Sequence, residues 1–253
     1  MIARVFKKDS GAILLERDCL MKISVFGIPE LTLGKNNIKD ARLDQADKLV
    51  KAKKKTYVQA DLVGEEGGLE ADAIITLVEN RTDLILKDLE FVETRFGRST
   101  LEEEKALLGK LKTALENDQF ISSLNLSAEE IQSMSSYNLL TLKPVVLVKK
   151  EELENIPELL FRAVKESGFI SFFTIGDKEN RAWLIKKGTS AWEAAGAIHS
   201  DIQKGFIRAE IIPFADFIQA GGETQAKQAN KMRLEMKEYV MQDCDLVNFR
   251  FNK

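Results

Sequence analysis

Short apolar runs and one stretch of helical period alternate in the first part of the chain. Residues 42–55 carry apolar side chains at helical spacing, and the runs on either side of them have β character. Strands separated by helical stretches indicate a parallel sheet, so this pattern predicts an α/β domain. The three β-type runs are residues 21–27, which end at a glycine, 56–60 and 73–78.

The hydrophobic period becomes helical from about residue 83. Two apolar series at helical spacing predict two helices, separated by a turn at residues 97–99. A capping-box pattern at Ser99–Glu102 predicts the start of the second helix, and another at Ser127–Glu130 predicts a third. Facing apolar stripes and a short turn are typical of an antiparallel helical hairpin, which we place at about residues 82–138. The first series is Ile85, Leu89, Val92 and Phe96, and the second is Leu101, Leu108, Leu111 and Leu115.

Strand patterns dominate the last part of the chain. A β run at residues 144–148 precedes a charged stretch at 149–154, where we expect a junction between domains. Beyond it the pattern predicts two strands, a helix at 190–199, a third strand, a further helix and a closing strand. This order fits a small α+β domain of the β-grasp kind. The four strands are residues 169–175, 182–186, 206–212 and 246–251.

Composition limits the chemistry that the chain can perform. Its 253 residues are 44% hydrophobic and carry a net charge of −3, which fits a folded globular chain rather than a globally basic nucleic-acid binder. Two cysteines, Cys19 and Cys244, and one histidine, His199, cannot supply a Cys/His zinc site. We therefore expect no metal centre, and any histidine-dependent mechanism depends on His199 alone.

The N-terminal segment, residues 1–20, is interpreted as an extension, because Met21 fits a natural start; a hairpin or arm is the alternative. Its apolar core, Ala12–Leu15, is too short for a signal peptide. No apolar run approaches the ~20 residues of a membrane span. The sequence predicts a cytoplasmic protein with reduced thiols and no membrane partner.

Many short groups of residues match the pattern of one known family in order along the chain. On these residues the chain resembles the Obg-like ATPase (YchF) family from Lys22 to Lys253, with large deletions in its first half. The matching groups are Leu126–Glu130, Leu140–Pro144, Arg181–Trp183, Lys187–Thr189, Ala194–Gly196, Ile198–Asp201, Lys204–Glu210, Gly221–Glu223 and Phe249–Asn252.

The resemblance implies an α/β fold with two main domains. The first is a reduced P-loop-NTPase-like parallel sheet with the antiparallel helical hairpin inserted, and the second is a TGS domain, a ubiquitin-like β-grasp. The expected boundaries are 1–20 for the extension, 21–150 for the degenerate G-domain-like part, 151–168 for a linker helix and 169–253 for the TGS domain.

The phosphate-binding loop that the family uses is degenerate in this sequence. A P-loop has the form G-x-x-x-x-G-K-[ST], in which backbone N–H groups surround a phosphate and the lysine reaches its oxygens. Here six residues separate Gly27 from Gly34, and Asn36 follows Lys35 in place of the hydroxyl that binds Mg²⁺. A proline without an N–H and a glutamate carboxylate also lie within the loop. Together these changes favour a relic over a remodelled working loop.

Two further nucleotide-binding patterns also have ordinary structural explanations. Asp61 and Gly64 fit D-x-x-G, whose aspartate faces Mg²⁺ and whose glycine senses the γ-phosphate, but a turn after a strand has the same residues. Asn155 and Glu158 have the letters of the family's adenine-reading N-x-x-E motif, but they also fit the start of a helix. The residual nucleotide-site candidates are Gly27, Gly34, Lys35, Asp61 and Gly64. No catalytic residue is predicted.

Basic residues are the candidates for contact with RNA or a protein partner. The four that we select flank the strands of the predicted C-terminal domain: Lys186, Lys187, Lys204 and Arg208. The lysine-rich segment 48–55 fits either a phosphate contact or a solvated face. His199 fits a residue at a helix C-terminus better than a general base.

The main functional hypothesis is a pseudo-NTPase that binds the ribosome or RNA, without a cofactor and without hydrolysis of its own. The resemblance implies that the hairpin and the TGS domain provide the contact surfaces. An alternative keeps weak binding or hydrolysis of ATP or GTP with Mg²⁺. A further alternative is an adaptor that binds a protein partner through an exposed strand edge of the β-grasp domain. DNA is not an expected partner.

Overall fold

The computed structural model describes residues 20–252, so the expectations for the N-terminal extension lie outside the described residues. The strands are β1 (Met21–Phe26), β2 (Gly34–Ile38), β3 (Lys54–Thr56), β4 (Val58–Val63), β5 (Ala73–Leu77), β6 (Val145–Val148), β7 (Phe169–Thr174), β8 (Glu179–Lys186), β9 (Phe206–Ile212), β10 (Arg233–Glu235) and β11 (Leu246–Phe251). The helices are α1 (Ala41–Leu49), α2 (Arg81–Arg98), α3 (Glu102–Glu116), α4 (Ala128–Ser133), α5 (Ile156–Glu166), α6 (Ala191–Ile198), α7 (Ser200–Lys204), α8 (Phe214–Ala220) and α9 (Glu223–Gln228). The α/β prediction is confirmed.

The described chain forms two compact units. The first comprises residues 22–34 and 62–153, and the second comprises 20–21, 35–61 and 154–252. Residues 35–61 lie within the expected 21–150 domain, but in the structure they belong with the C-terminal part. The expected linker at 151–168 contains α5, whose buried apolar face makes it part of the second unit.

A parallel sheet forms the centre of the first unit. Strand β1 pairs in parallel with β5, where Ile23 lies beside Ala73, and β5 pairs in parallel with β6, where Ile74 lies beside Val145. All five residues of β5 are buried. Such a continuous apolar run is typical of a parallel strand that is covered on both faces.

Helices α2 and α3 lie side by side in the first unit. The chain reverses between them, because Arg95 pairs with Glu104 at 2.7 Å and Glu93 pairs with Lys112 at 2.8 Å. Most of the predicted apolar residues lie in one core cluster: Ile85, Leu89, Val92, Leu108, Leu111 and Leu115.

Three details of this helical region were predicted wrongly. The Leu101 side chain is 66% exposed, and this residue is the N-cap of α3 without a side-chain hydrogen bond. The Ser99 hydroxyl donates to the Glu104 carboxylate, so Ser99 does not form the expected capping box. The predicted turn at 97–99 is also shifted, because α2 continues to Arg98. The capping box of Ser127 and Glu130 at the start of α4 is confirmed.

A buried carboxylate fastens α2 to the segment before β6. Asp88 accepts hydrogen bonds from the backbone N–H groups of Leu140 at 2.9 Å and Thr141 at 2.7 Å, and from the Thr141 hydroxyl at 2.7 Å. Burial raises the pKa of Asp88 above its usual range, although these donors oppose the shift. Close by in sequence, the Lys143 ammonium donates to the carbonyls of Gly68, Leu69 and Ala71. The family-like segment 140–144 is therefore held by side chains at both of its ends.

A six-stranded sheet organises the second unit. Its order is β10-β9-β11-β7-β8-β3, and the four strands and the helix at 190–199 that the sequence predicts correspond to β7, β8, β9, β11 and α6. The three-residue strands β3 and β10 at the edges were not predicted as members of this sheet. An apolar core that includes Phe172, Ile185 and Ile211 packs with α6.

Residues 35–61 join this second unit through backbone and side-chain bonds. Strand β3 runs parallel to β8, with Lys54 beside Glu179 and Thr56 beside Arg181. The fully buried Asn180 side chain donates to Asp47 Oδ1 at 2.7 Å and to the Val50 carbonyl at 2.6 Å. None of the helices in the described part of the chain is long and apolar enough to span a bilayer.

Candidate functional site

The candidate phosphate loop begins at Gly27, directly after β1. Gly27 has a left-handed backbone with φ +66°, and a Cβ atom there would lie 2.4 Å from Asn80 Nδ2. Its N–H donates to Glu65 Oε1 at 3.3 Å, and its carbonyl accepts from Asn80 Nδ2 at 2.9 Å. The backbone N–H that would face a phosphate is thus directed at a carboxylate of the chain itself.

The segment after Gly27 leads into a strand and not into a helix. Ile28 and Leu31 are buried, while Pro29 and Glu30 form an exposed turn between them. Gly34, with φ +108°, begins β2, and Lys35 is the exposed second residue of that strand. A working phosphate loop needs the free N–H groups at a helix N-terminus, and β2 has none of this geometry.

Carboxylates surround the second glycine of the nucleotide patterns. Gly64 precedes a 3-10 turn at Glu65–Gly67, and its carbonyl accepts from the Ser24 hydroxyl at 3.2 Å. A Cβ atom on Gly64 would lie 2.6 Å from the Glu66 carboxylate. Glu65 Oε2 pairs with the Lys87 ammonium at 2.8 Å. Sequence reasoning did not select Glu65, although two glutamates directly after Gly64 were a visible signal.

The other nucleotide candidates have structural roles. Asp61 lies within β4 and is half-buried, so it is a strand residue instead of the expected turn residue. Asn155 is the N-cap of α5, where its side chain accepts from the Glu158 N–H at 3.4 Å, so the interpretation as a helix start is confirmed. No group of three or more His, Cys, Asp or Glu side chains among residues 20–252 is arranged to hold a metal ion.

The four cations selected as contact candidates are all exposed, but they do not form one patch. Lys186 lies opposite Phe169 at one end of the sheet, whereas Arg208 lies opposite Arg250 at the other end. Phe169 precedes Phe173 by four residues, and Arg250 follows Leu246 by four. Because Phe173 pairs with Leu246 on the parallel strand β11, the two cations are about eight residues, or roughly 26 Å, apart along the strands. Lys187 follows Lys186, and Lys204 lies near the end that carries Arg208.

His199 is a helix-cap residue, as the sequence analysis favours. It ends α6 and begins α7, where its Nδ1 accepts from the Asp201 N–H at 3.1 Å. Cys244 is buried in a left-handed turn with φ 68°, and burial raises the pKa of its thiol to about 12. His199 Nδ1 also lies 3.5 Å from Asp201 Oδ2, so its contacts are those of the α7 cap.

Comparison with known proteins gives consistent matches. A family model described as YchF-GTPase_C, protein of unknown function (DUF933), matches residues 169–252. The protein named ribosome-binding ATPase YchF of Haemophilus influenzae is 34% identical over 233 residues, covering 68% of this chain and 64% of the relative. Its namesake in Haemophilus ducreyi is 32% identical, covering 76% of this chain and 69% of the relative. The Bacillus subtilis protein of that name is also 32% identical, covering 72% and 68%.

The chain belongs to the YchF family. It covers just under two thirds of the Haemophilus influenzae YchF sequence, and a little more than two thirds of the other two. A solved structure titled Schizosaccharomyces pombe YchF GTPase superposes with a TM-score of 0.70 at 21% identity, covering 91% of this chain and 97% of that one. At this identity the match shows a shared fold.

Proposed function

We propose that this YchF-family chain is a ribosome-associated binding protein in which the phosphate loop is lost and the sheet serves as a scaffold. The observation that carries the proposal is the course of the chain after β1, where Gly27 is bonded to Glu65 and Lys35 lies on a strand. The relatives named ribosome-binding ATPase support the ribosome as the partner. On the resemblance, residues 169–253 form the TGS domain, and with helices α2 and α3 they provide the contact surfaces. No cofactor is needed for this role.

A second candidate function is binding of ATP or GTP with Mg²⁺, with weak hydrolysis. The names of the relatives, which include ATPase and GTPase, are the observation that favours it. Under this alternative Gly27, Gly34, Lys35, Asp61 and Gly64 hold the nucleotide in a geometry that forms on binding. The carboxylates of Glu65 and Glu66 oppose this, because an anion near them is repelled unless Mg²⁺ intervenes.

A third candidate is an adaptor that binds a protein through a strand edge. Strand β10 is one edge of the six-stranded sheet, and Leu234 on it is 54% exposed. An exposed edge strand is a surface on which an extended peptide adds a further strand through backbone hydrogen bonds. Because these bonds and contact with Leu234 involve no phosphate, binding through β10 should depend only weakly on salt.

Thermal melting with nucleotide separates the first two functions. A ligand present at 100 times its Kd adds about 2.7 kcal/mol to the free energy of unfolding. We expect no change in the melting temperature with millimolar Mg-ATP or Mg-GTP, with the Bacillus subtilis YchF as the positive control. An upward shift that the Lys35→Ala substitution abolishes would replace the proposal with the nucleotide-binding alternative.

Cosedimentation with purified 70S ribosomes tests the partner. We expect the chain to pellet with ribosomes at low salt and to be released as the salt concentration rises, because RNA contacts displace counterions. Absence from the pellet at the lowest salt concentration would contradict ribosome association. Salt-insensitive cosedimentation that a Leu234→Ala substitution abolishes would favour the adaptor.

A further inference from the structure

Four lysines from two distant parts of the sequence lie together at the β3 edge of the second unit. They are Lys51, Lys53, Lys54 and Lys178, which we call the lysine edge; all four are exposed. The Lys53 N–H donates to the Asp177 carbonyl at 3.0 Å, and Lys54 lies beside Glu179 in parallel register. This register places Lys53 next to Lys178, so the β3–β8 pairing builds a cationic surface that the order of the sequence does not show.

Some lysines at this edge form ion pairs with carboxylates, and others form none; the latter are called uncompensated. Lys54 pairs with Glu179 at 3.1 Å, and the next residue, Lys55, pairs with Asp44 and Asp47. Lys51, Lys53 and Lys178 form no ion pair within residues 20–252. The exposed Asp177 is the one carboxylate of the β7–β8 turn, and its carbonyl is bonded to the backbone of β3.

The proximity of Lys53 and Lys178 has an electrostatic cost to the free chain. Lys53 and Lys178 lie directly before β3 and β8, and like charges placed side by side repel each other and oppose strand pairing. Lysines on an edge strand hinder edge-to-edge aggregation, but this role does not require a second lysine on the adjacent turn. A bound polyanion removes this repulsion, because each phosphate neutralises a cation and releases condensed counterions.

The uncompensated lysines lie where the chain enters its two strands. β3 begins at Lys54, so Lys51 and Lys53 lie in the segment that leads into it, and Lys178 lies in the turn directly before β8. The three residues are therefore at the same end of the β3–β8 pair.

We infer that the lysine edge binds the phosphate backbone of RNA, and that it does so in place of the four cations selected from the sequence. This inference rests on the proposed ribosome association and names the surface that provides it. The occupant is RNA because three exposed lysines without an ion pair, against the single exposed carboxylate of Asp177, leave a net positive surface that a phosphate chain can neutralise. Contact through lysine ammonium groups positions the RNA backbone without reading its bases.

The test compares two triple variants that remove the same charge from the same unit. The first is Lys51→Gln, Lys53→Gln and Lys178→Gln, and the matched control is Lys186→Gln, Lys187→Gln and Lys204→Gln. Lys54 and Lys55 remain unchanged because they pair with carboxylates of the fold. Thermal melts check that both variants fold, and the probes are a fluorescein-labelled 20-nucleotide oligouridine and purified 70S ribosomes.

The slope of log affinity for oligouridine against log salt measures the number of phosphate contacts. Each contact contributes about 0.7 to this slope, so we expect the lysine-edge variant to lose about 2 from it. If the affinities converge at 1 M salt, the same loss makes binding about 100-fold weaker at 0.1 M. The control variant should keep the slope of the unmodified chain, and cosedimentation should follow the same order.

Several results would overturn the assignment. One is equal loss in both variants, which would indicate diffuse attraction; another is loss in the control alone. Ribosome binding that depends on the lysine edge without any affinity for oligouridine would identify an acidic protein surface as the partner instead. Ribosome binding that both variants retain would refute the lysine edge and leave the proposed function intact, whereas an unmodified chain that binds neither probe would refute both.

Discussion

Two buried threonines differ in what their hydroxyl groups contact. Thr76 on β5 and Thr141 are both fully buried, but the Thr76 hydroxyl has no hydrogen-bond partner among residues 20–252, whereas that of Thr141 donates to Asp88. A buried polar group without a partner costs about 1–3 kcal/mol. We therefore expect Thr76→Val to raise the free energy of unfolding by about 1 kcal/mol in urea titrations.

Thr141→Val is the matched control for this prediction. It removes the same atom from an equally buried site, but it leaves the Asp88 carboxylate with one donor fewer, so it should lower the free energy of unfolding by about 1–3 kcal/mol. Equal effects of the two substitutions would show that hydrogen bonding does not distinguish these sites.

At the scale of the element, helix α3 shows where a heptad pattern stops being informative. The series Leu101, Leu108, Leu111 and Leu115 is regular in sequence, but α3 begins at Glu102 and its first leucine is outside the helix. A periodic pattern gives the face of a helix without fixing its first residue, since the cap depends on local bonds such as the one from Ser99 to Glu104.

Alanine substitutions measure this difference. Leu108 is fully buried, so Leu108→Ala should lower the free energy of unfolding by about 2–5 kcal/mol. Leu101→Ala removes a side chain that is 66% exposed and should change the free energy by at most about 0.5 kcal/mol. A large loss at Leu101, measured by the same urea titration, would place this residue in a core.

The Glu104 carboxylate makes the stability of the two helices depend on pH. Donation by the Ser99 and Tyr137 hydroxyls and by the Arg95 guanidinium lowers the pKa of Glu104 to about 2. Because the folded pKa is below the unfolded one, the contribution is complete above about pH 4.5 and is lost as the pH falls towards 2.

Glu104→Gln isolates this contribution. We expect the variant to have a lower urea midpoint than the unmodified chain at pH 7, with the difference shrinking between pH 4.5 and pH 2. Glu102→Gln is the control, because that side chain is 89% exposed and should shift the midpoint little at any pH. A difference that stays constant between pH 7 and pH 2 would contradict the depressed pKa.

At the scale of the whole molecule, hydrophobic periodicity predicts the helices and strands better than it predicts which strands pair. Strong patterns mark the buried strands β5, β7 and β9 and the apolar faces of α2 and α3, so these elements can be predicted from the sequence. Strand β3 has only three residues, two of them exposed lysines, and its pairing with β8 leaves no hydrophobic signal.

The candidate sites show the same limit. The sequence identifies the phosphate loop as degenerate from its spacing and residue types, and the structure adds the strand at Lys35 and the bond from Gly27 to Glu65. The sequence analysis selects Lys186 and Arg208 together, whereas the strand register places these two residues at opposite ends of the sheet. The register between strands that are distant in sequence, such as β7 and β11 or β3 and β8, decides which charges meet, and no short window of the sequence contains both strands.

The composition of the second unit leads to a prediction about fragments. Residues 154–253 alone lack β3 and α1, which leaves the edge of β8 unpaired and deprives the buried Asn180 of Asp47 and the Val50 carbonyl. We expect this fragment to melt at a lower temperature than the unmodified chain. A synthetic peptide of residues 35–61 should raise the melting temperature of the fragment as more of it becomes bound.

A peptide with Asp47→Ala is the control. It should bind more weakly, because it removes one of the two acceptors of Asn180 while keeping β3. Calorimetric titration of both peptides, alongside thermal melts, provides the measurement. If the peptide leaves the fragment's melting temperature unchanged, residues 35–61 do not belong to the folding unit that the C-terminal part forms.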